Sequence, residues 1–233
     1  MAVKGPAKAA KRAGAQPIGP RIDDEMAIAD HDELLDDLQW TRLRIGGDLS
    51  GESLRRLDVS ACRFDGCRIT GADLQGARLV DVTFEDCELS GAALADAVLT
   101  RVEFRSCRMS GIILSSAKLR DVRMTDCKID GLSMRMATTE RLLFERCLLG
   151  DADFAGSTLE LCRLFDCDLS TADFSKTVLR DVRFHGSDLA GLRGIEHLRG
   201  IAIDSEKMHD FALGLLAAHD VTVDDDREPS TGL

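Results

Sequence analysis

Residues 72–94 read ADLQGARLVDVTFEDCELSGAAL, and an apolar side chain returns at every fifth place: Leu74, Leu79, Phe84, Leu89 and Leu94. The beat extends back to Leu54 through Ile69, Phe64 and Val59. It runs forward through Leu99, Phe104, Met109, Leu114, Leu119, Met124, Ile129 and Met134, and again from Phe144 to Leu189. Only Thr139 interrupts it with a polar residue. Two places before each beat stands a small or apolar residue, as at Leu57, Cys62, Cys67, Ala72, Ala77 and Val82. A helix repeats its face every 3.6 residues and a strand every 2, so a period of five is neither. It describes a chain that turns a corner every five residues and sends two side chains inward each time. The other positions face outward and carry charges such as Arg63, Asp65, Glu85, Arg105 and Asp126. Glycine recurs at Gly66, Gly71, Gly76, Gly91, Gly111 and Gly131, where a tight turn asks for positive φ.

A second period sets the number of sides. Positions twenty apart form columns: Phe64, Phe84, Phe104, Met124, Phe144, Leu164 and Phe184 make one, and Cys67, Cys87, Cys107, Cys127, Cys147 and Cys167 another. Ala77, Ala97, Ala117 and Ala137 make a third. Twenty is four fives, so each coil has four sides, and like side chains stack at about 4.8 Å per coil. No single coil can bury its own apolar side chains, so neighbours bury them together in a solenoid.

The chain at this point resembles the pentapeptide repeat proteins, whose motif is a small residue, Asp or Asn, Leu or Phe, and two outward residues. Ala72-Asp73-Leu74-Gln75-Gly76, Ala152-Asp153-Phe154-Ala155-Gly156 and Ala172-Asp173-Phe174-Ser175-Lys176 match it in full. The resemblance covers roughly 60% of the chain. It implies an all-β solenoid, a right-handed quadrilateral β-helix. We expect about seven coils from Leu54 to Leu189. The departures are Thr139 at a core place and bulky Ile112, Leu132 and Leu142 at the small place, which locate any irregularity between Leu132 and Leu143.

Five regions follow. Residues 1–22, with Lys4, Lys8, Lys11, Arg12, Pro17, Gly19, Pro20 and Arg21, have the composition of a disordered basic tail. No apolar run in it suits a secretory signal. Residues 23–48 begin acidic, with a short helical stripe at Leu34, Leu35 and Leu38, and then supply Trp40 to Ile45 as part of an N-terminal cap. Residues 49–193 are the β-helix. Residues 194–223 hold a looser last coil (Leu192, Ile195, Leu198, Ile201 and Ile203 suggest it), a helix from Ser205 to Ala218 with Asp204 or Ser205 as N-cap, and a short strand at Val221-Thr222-Val223. Residues 224–233 are an acidic tail. Met208, Phe211, Leu215 and Leu216 line one side of that helix. They form a cap over the exposed coil end or the surface of a two-fold homodimer.

The formal net charge is −11. Residues 46–200 carry 25 acidic and 21 basic side chains, so the solenoid is close to balance and its surface should be laced with exposed ion pairs. Pairs of that kind are worth about 0–1 kcal/mol each. Some proteins of the resembled family mimic duplex DNA and bind type II topoisomerases such as gyrase. Duplex DNA carries a charge per roughly 1.7 Å, so a rod of this length would want on the order of 20 unbalanced charges. The balance favours a scaffold that binds an unidentified protein over a gyrase-binding DNA mimic, and no direct nucleic acid partner is expected.

All eight cysteines occupy the small inward place, so packing explains them better than disulfides or metal. A reduced, cytoplasmic protein follows. The five histidines form no metal motif, and no phosphate-binding loop or nucleophile elbow is present. We therefore expect no catalytic residues, no cofactor, no metal and no membrane span.

Overall fold

The computed structural model describes residues 16–23, 25–29, 34 and 38–221 of the 233. It is a four-sided parallel β-solenoid of about 8 turns with a short C-terminal helix. The first strands are β1 (Ala27–Ile28), β2 (Gln39–Thr41) and β3 (Leu43–Ile45). Then come β4 (Asp58–Asp65), β5 (Arg78–Glu85), β6 (Val98–Arg105), β7 (Lys118–Thr125) and β8 (Thr138–Glu145), each eight residues long. Each bends over two sides of the coil. Face 1 carries the Val59, Leu79 and Leu99 column inward, and face 2 the phenylalanine column. Face 3, through Ile69 and Leu89, and face 4, through Leu74 and Leu94, are joined by isolated parallel bridges such as Arg68 with Glu88 and Asp73 with Ala93.

The register is twenty residues throughout the middle: Phe64 lies beside Phe84, Phe84 beside Phe104, and Phe104 beside Met124. Phe64 and Phe84 stack at 4.4 Å between ring centres, and Phe84 and Phe104 at 4.8 Å. Burying a side chain of this size contributes about 1.5–3 kcal/mol. At both ends a coil is one residue shorter. Trp40 pairs with Val59 and Ile45 with Phe64 at one end, and Val182 pairs with Ile201 at the other. Trp40 is buried, and its indole N–H donates to the Leu34 carbonyl at 3.0 Å. Leu34 is buried and Leu38 exposed, while Leu35 lies outside the described residues.

The stretch from Leu132 to Leu143 is regular: β7 and β8 keep the twenty-residue register through it, and Ile112, Leu132, Thr139 and Leu142 are all buried. The Thr139 hydroxyl lies 3.0 Å from the Cys162 sulfur, so the polar core residue has a partner. Elsewhere the small places donate to a carbonyl 23 residues back. Thr177 reaches Phe154 O and Ser187 reaches Leu164 O, each at 3.0 Å, and Cys147 reaches Met124 O at 3.3 Å. A thiol or hydroxyl at this position fills a small space and satisfies a buried acceptor. All eight cysteines are buried and free.

The beat stops at Gly194 for a steric reason. Its φ is +71°, and a Cβ there would lie 2.4 Å from the Ser175 backbone nitrogen. A 3-10 turn at Ile195–His197 and a last strand at Ile201–Ile203 close the end. Helix α1 spans Met208–Ala218 after a 3-10 turn at Ser205–Lys207. Neither Asp204 nor Ser205 caps α1: the Asp204 carboxylate accepts the Gly186 amide instead. Val221 is in no strand, and Thr222 and Val223 lie outside the described residues.

Candidate interaction surface

Every corner of the solenoid places one residue at positive φ, and most are not glycine: Asp81, Arg101, Asp121 and Arg141 lie between 53° and 58°. At faces 3 and 4 the Asp before the core residue accepts the amide two residues on. Asp73 takes Gln75 N at 3.0 Å, Asp153 takes Ala155 N at 2.9 Å and Asp173 takes Ser175 N at 2.8 Å. These recurring carboxylates close turns, as an Asx turn does.

The corner between faces 1 and 2 is different. Its column alternates Asp81, Arg101, Asp121 and Arg141, and each Arg grips the Asp one coil earlier with two bonds. Arg101 reaches Asp81 through Nε and Nη2, both at 2.6 Å. Arg141 reaches Asp121 at 2.6 and 2.9 Å. The Asp121 side chain is 4% exposed, so this is not the solvated pairing expected of the whole surface. Burial raises the Asp121 carboxyl, but the Arg141 guanidinium and the Ile18 amide outweigh it and hold the group below 3.8. Asp81 behaves alike: burial opposes, and Arg101 and the Arg21 amide prevail. Arg63, Arg123, Arg163 and Arg183 share a column, in which Arg123 pairs with Glu103 at 3.4 Å and Arg163 with Asp181 at 3.3 Å.

Residues 16–23 are not the end of a disordered tail. Pro17 is buried, and the Ile18 amide donates to Asp121 Oδ1 at 3.0 Å. The Arg21 amide donates to Asp81 Oδ1 at 2.8 Å, and Asp23 pairs with Arg42. The segment lies across the coils like a strap. Its composition signals only disorder. The alternating Asp and Arg at positions 81, 101, 121 and 141 is legible in the sequence as pairs between coils, which a reading by fives passes over, but it does not point to residues 17–21. Residues 1–15 lie outside the described residues.

Face 4 is charge-poor in its middle. Ala93, Ala95, Ile113, Ser115 and Ser133 present outward there, and Ile113 is exposed. An ion pair stands at each end, Arg55 with Asp73 at 3.1 Å and Arg135 with Asp153 at 2.7 Å. The C-terminal helix divides its apolar residues. Phe211 is half-buried against the core, and Leu215 and Leu216 are half-buried. Met208 is 66% exposed, so it does not join Phe211 on the packed side, and Leu213 is exposed as well. A Cβ on Gly214 would meet Ile195 Cδ1 at 3.0 Å, which is how closely the helix approaches the last turn.

Among the described residues no three metal-ligating side chains converge, and no helix is long and apolar enough to cross a membrane.

The pentapeptide repeat region family matches residues 45–111 and 97–170, and the pentapeptide repeats family (8 copies) matches 160–192. No curated protein matches the chain. Among solved structures, full-length QnrB1, a plasmid-mediated fluoroquinolone resistance protein, is similar with a TM-score of 0.53 and 17% identity, over 76% of this chain and 99% of that one. HetL, a pentapeptide repeat protein involved in heterocyst differentiation regulation from the cyanobacterium Nostoc sp. Strain PCC 7120, matches with a TM-score of 0.40 and 24% identity, over 67% and 76%. At 17% identity the likeness to QnrB1 is one of fold.

Proposed function

The chain belongs to the pentapeptide repeat proteins, and on that footing we propose that it is a non-enzymatic scaffold whose face 4 binds another protein. The observation that carries this is the uncharged stretch Ala93, Ala95, Ile113, Ser115 and Ser133, bounded by the Arg55–Asp73 and Arg135–Asp153 pairs. A charge-depleted centre with a polar rim is how protein interfaces are built. A rod of stacked coils holds that surface flat without any lock-in of loops. A photo-crosslinker at position 113 should trap a partner that one at position 80, on face 1, does not. Equal trapping at both positions, or none, would sink the reading.

The gyrase-binding DNA mimic is the second reading, supported by the fold shared with QnrB1. The carboxylates on the rod argue against it, because many are tied to arginines: Asp126 and Glu145, for instance, both bond Arg146. A supercoiling assay with gyrase at micromolar protein, with and without a quinolone, separates the two. Inhibition or protection would move the assignment to the mimic. A homodimer through the C-terminal helix belongs to the same proposal, with Met208 and Leu213 as its exposed apolar contacts.

A further inference from the structure

We propose that the corner running from Asp81 to Asp121 is a peptide-docking track that residues 17–21 occupy in cis, and that an extended, proline-containing segment of a partner protein binds there by displacing them. This deepens the scaffold reading and rests on it.

The spacing comes first. Asp81 and Asp121 are two coils apart, about 9.6 Å at the strand spacing. Three residues of an extended, proline-rich chain span about 9.3 Å. The amides of Ile18 and Arg21, three residues apart, therefore meet carboxylates two coils apart. Pro20, between them, has no amide to strand without a partner.

The track reads backbone rather than side chains. The Ile18 side chain is exposed, and a Cβ added at Gly19 would meet nothing within 4 Å. A segment with other side chains would make the same two bonds. The acceptors are also in place without the strap, because Asp81 and Asp121 keep both bonds to Arg101 and Arg141. Pro17 is the one buried residue of the strap, and no residue of it joins the hydrophobic core cluster, so its departure takes no side chain out of that cluster.

The present occupant fits the upper end loosely. Arg123 reaches the Pro17 carbonyl only at 3.5 Å, and its Nε is buried without an acceptor among the described residues. Among the described residues the surface continues beyond Gln16 as a groove past Leu143, Glu145 and Phe165. A longer peptide has acceptors to offer Arg123 and a groove to follow. The strap holds its place because a tethered segment has a high effective concentration.

The test uses the full chain. Ile18→Pro with Arg21→Pro removes both strap donors and leaves the solenoid untouched. The probe is a synthetic peptide of residues 16–23, followed by NMR up to millimolar concentration. We expect it to bind the double variant at least about tenfold more tightly than the wild type, since the tethered competitor is gone. Proline at both donor positions of the peptide should abolish the gain. No binding to the opened protein, or equal binding to both, overturns the track. Hydrogen exchange in the wild type gives an independent reading. The Ile18 and Arg21 amides should exchange much faster than the Phe104 amide, reporting opening without unfolding. Exchange as slow as at Phe104 would make the strap an integral element and overturn the proposal. These measurements address the corner alone, so partner trapping at position 113 stands or falls separately.

Discussion

The Ile18 amide donates to the Asp121 carboxylate at 3.0 Å across 103 residues of chain. Asp121 is also gripped twice by Arg141, so one buried acid ties the N-terminal strap, one coil and the next coil together.

Asp121→Asn should therefore destabilise the protein by about 1–3 kcal/mol, measured by urea unfolding. Removing one partner from a fully buried pair costs about 3–5 kcal/mol, and Arg141 keeps some access to solvent. Asp48→Asn, at an exposed pair with Arg68, should cost much less, since solvent screens that pair. Equal costs would show that the corner pairs are no different from the surface.

The same carboxylates set an acid dependence. Asp81 and Asp121 titrate below 3.8 when folded, so near that pH the unfolded chain binds more protons than the native one. Their contribution is fully present above 3.8 and is lost as pH falls through the lower native values. The melting-temperature gap between the wild type and Asp81→Asn/Asp121→Asn should be constant from pH 7 to about 5 and shrink below 3.8. A gap unchanged down to pH 2 would refute the assignment.

Phe104→Asp should be severe, since Phe104 is 1% exposed in the middle of the aromatic column. An unpaired charge there costs several kcal/mol. Circular dichroism melting checks it, and a wild-type melt would mean that the column does not face inward.

The eight thiols should resist a chromogenic reagent in the native protein and all react in denaturant without reductant. Burial pushes the Cys62 thiol up and the Cys162 thiol to about 11, so neither offers thiolate at neutral pH. Fewer than eight thiols in denaturant would reveal disulfides.

Phe211→Asp should disturb the C-terminal end, because Phe211 packs on the core there. Light scattering then separates cap from dimer. A wild-type monomer at high micromolar concentration rules the dimer out. A wild-type dimer that Met208→Asp/Leu213→Asp turns into a folded monomer establishes it.

A reading by fives determines, for almost every residue from Leu54 to Leu189, whether it points in or out. The reason is local: a chain that turns every five residues has no choice of direction at each place, whatever stacks above it. That reading also made Thr139, Ile112, Leu132 and Leu142 look like faults. Only the packed coils show the Thr139 hydroxyl beside the Cys162 sulfur and the bulky residues buried in an unbroken register, because both are settled between one coil and the next. The ends needed the structure too, since a coil of nineteen residues breaks the count at Trp40 and at Ile201. Which charges pair, and where residues 17–23 lie, depends on contacts between coils and across the whole chain. Period carries no information about a segment that has none of its own, so the strap on Asp81 and Asp121 was decided by tertiary structure alone.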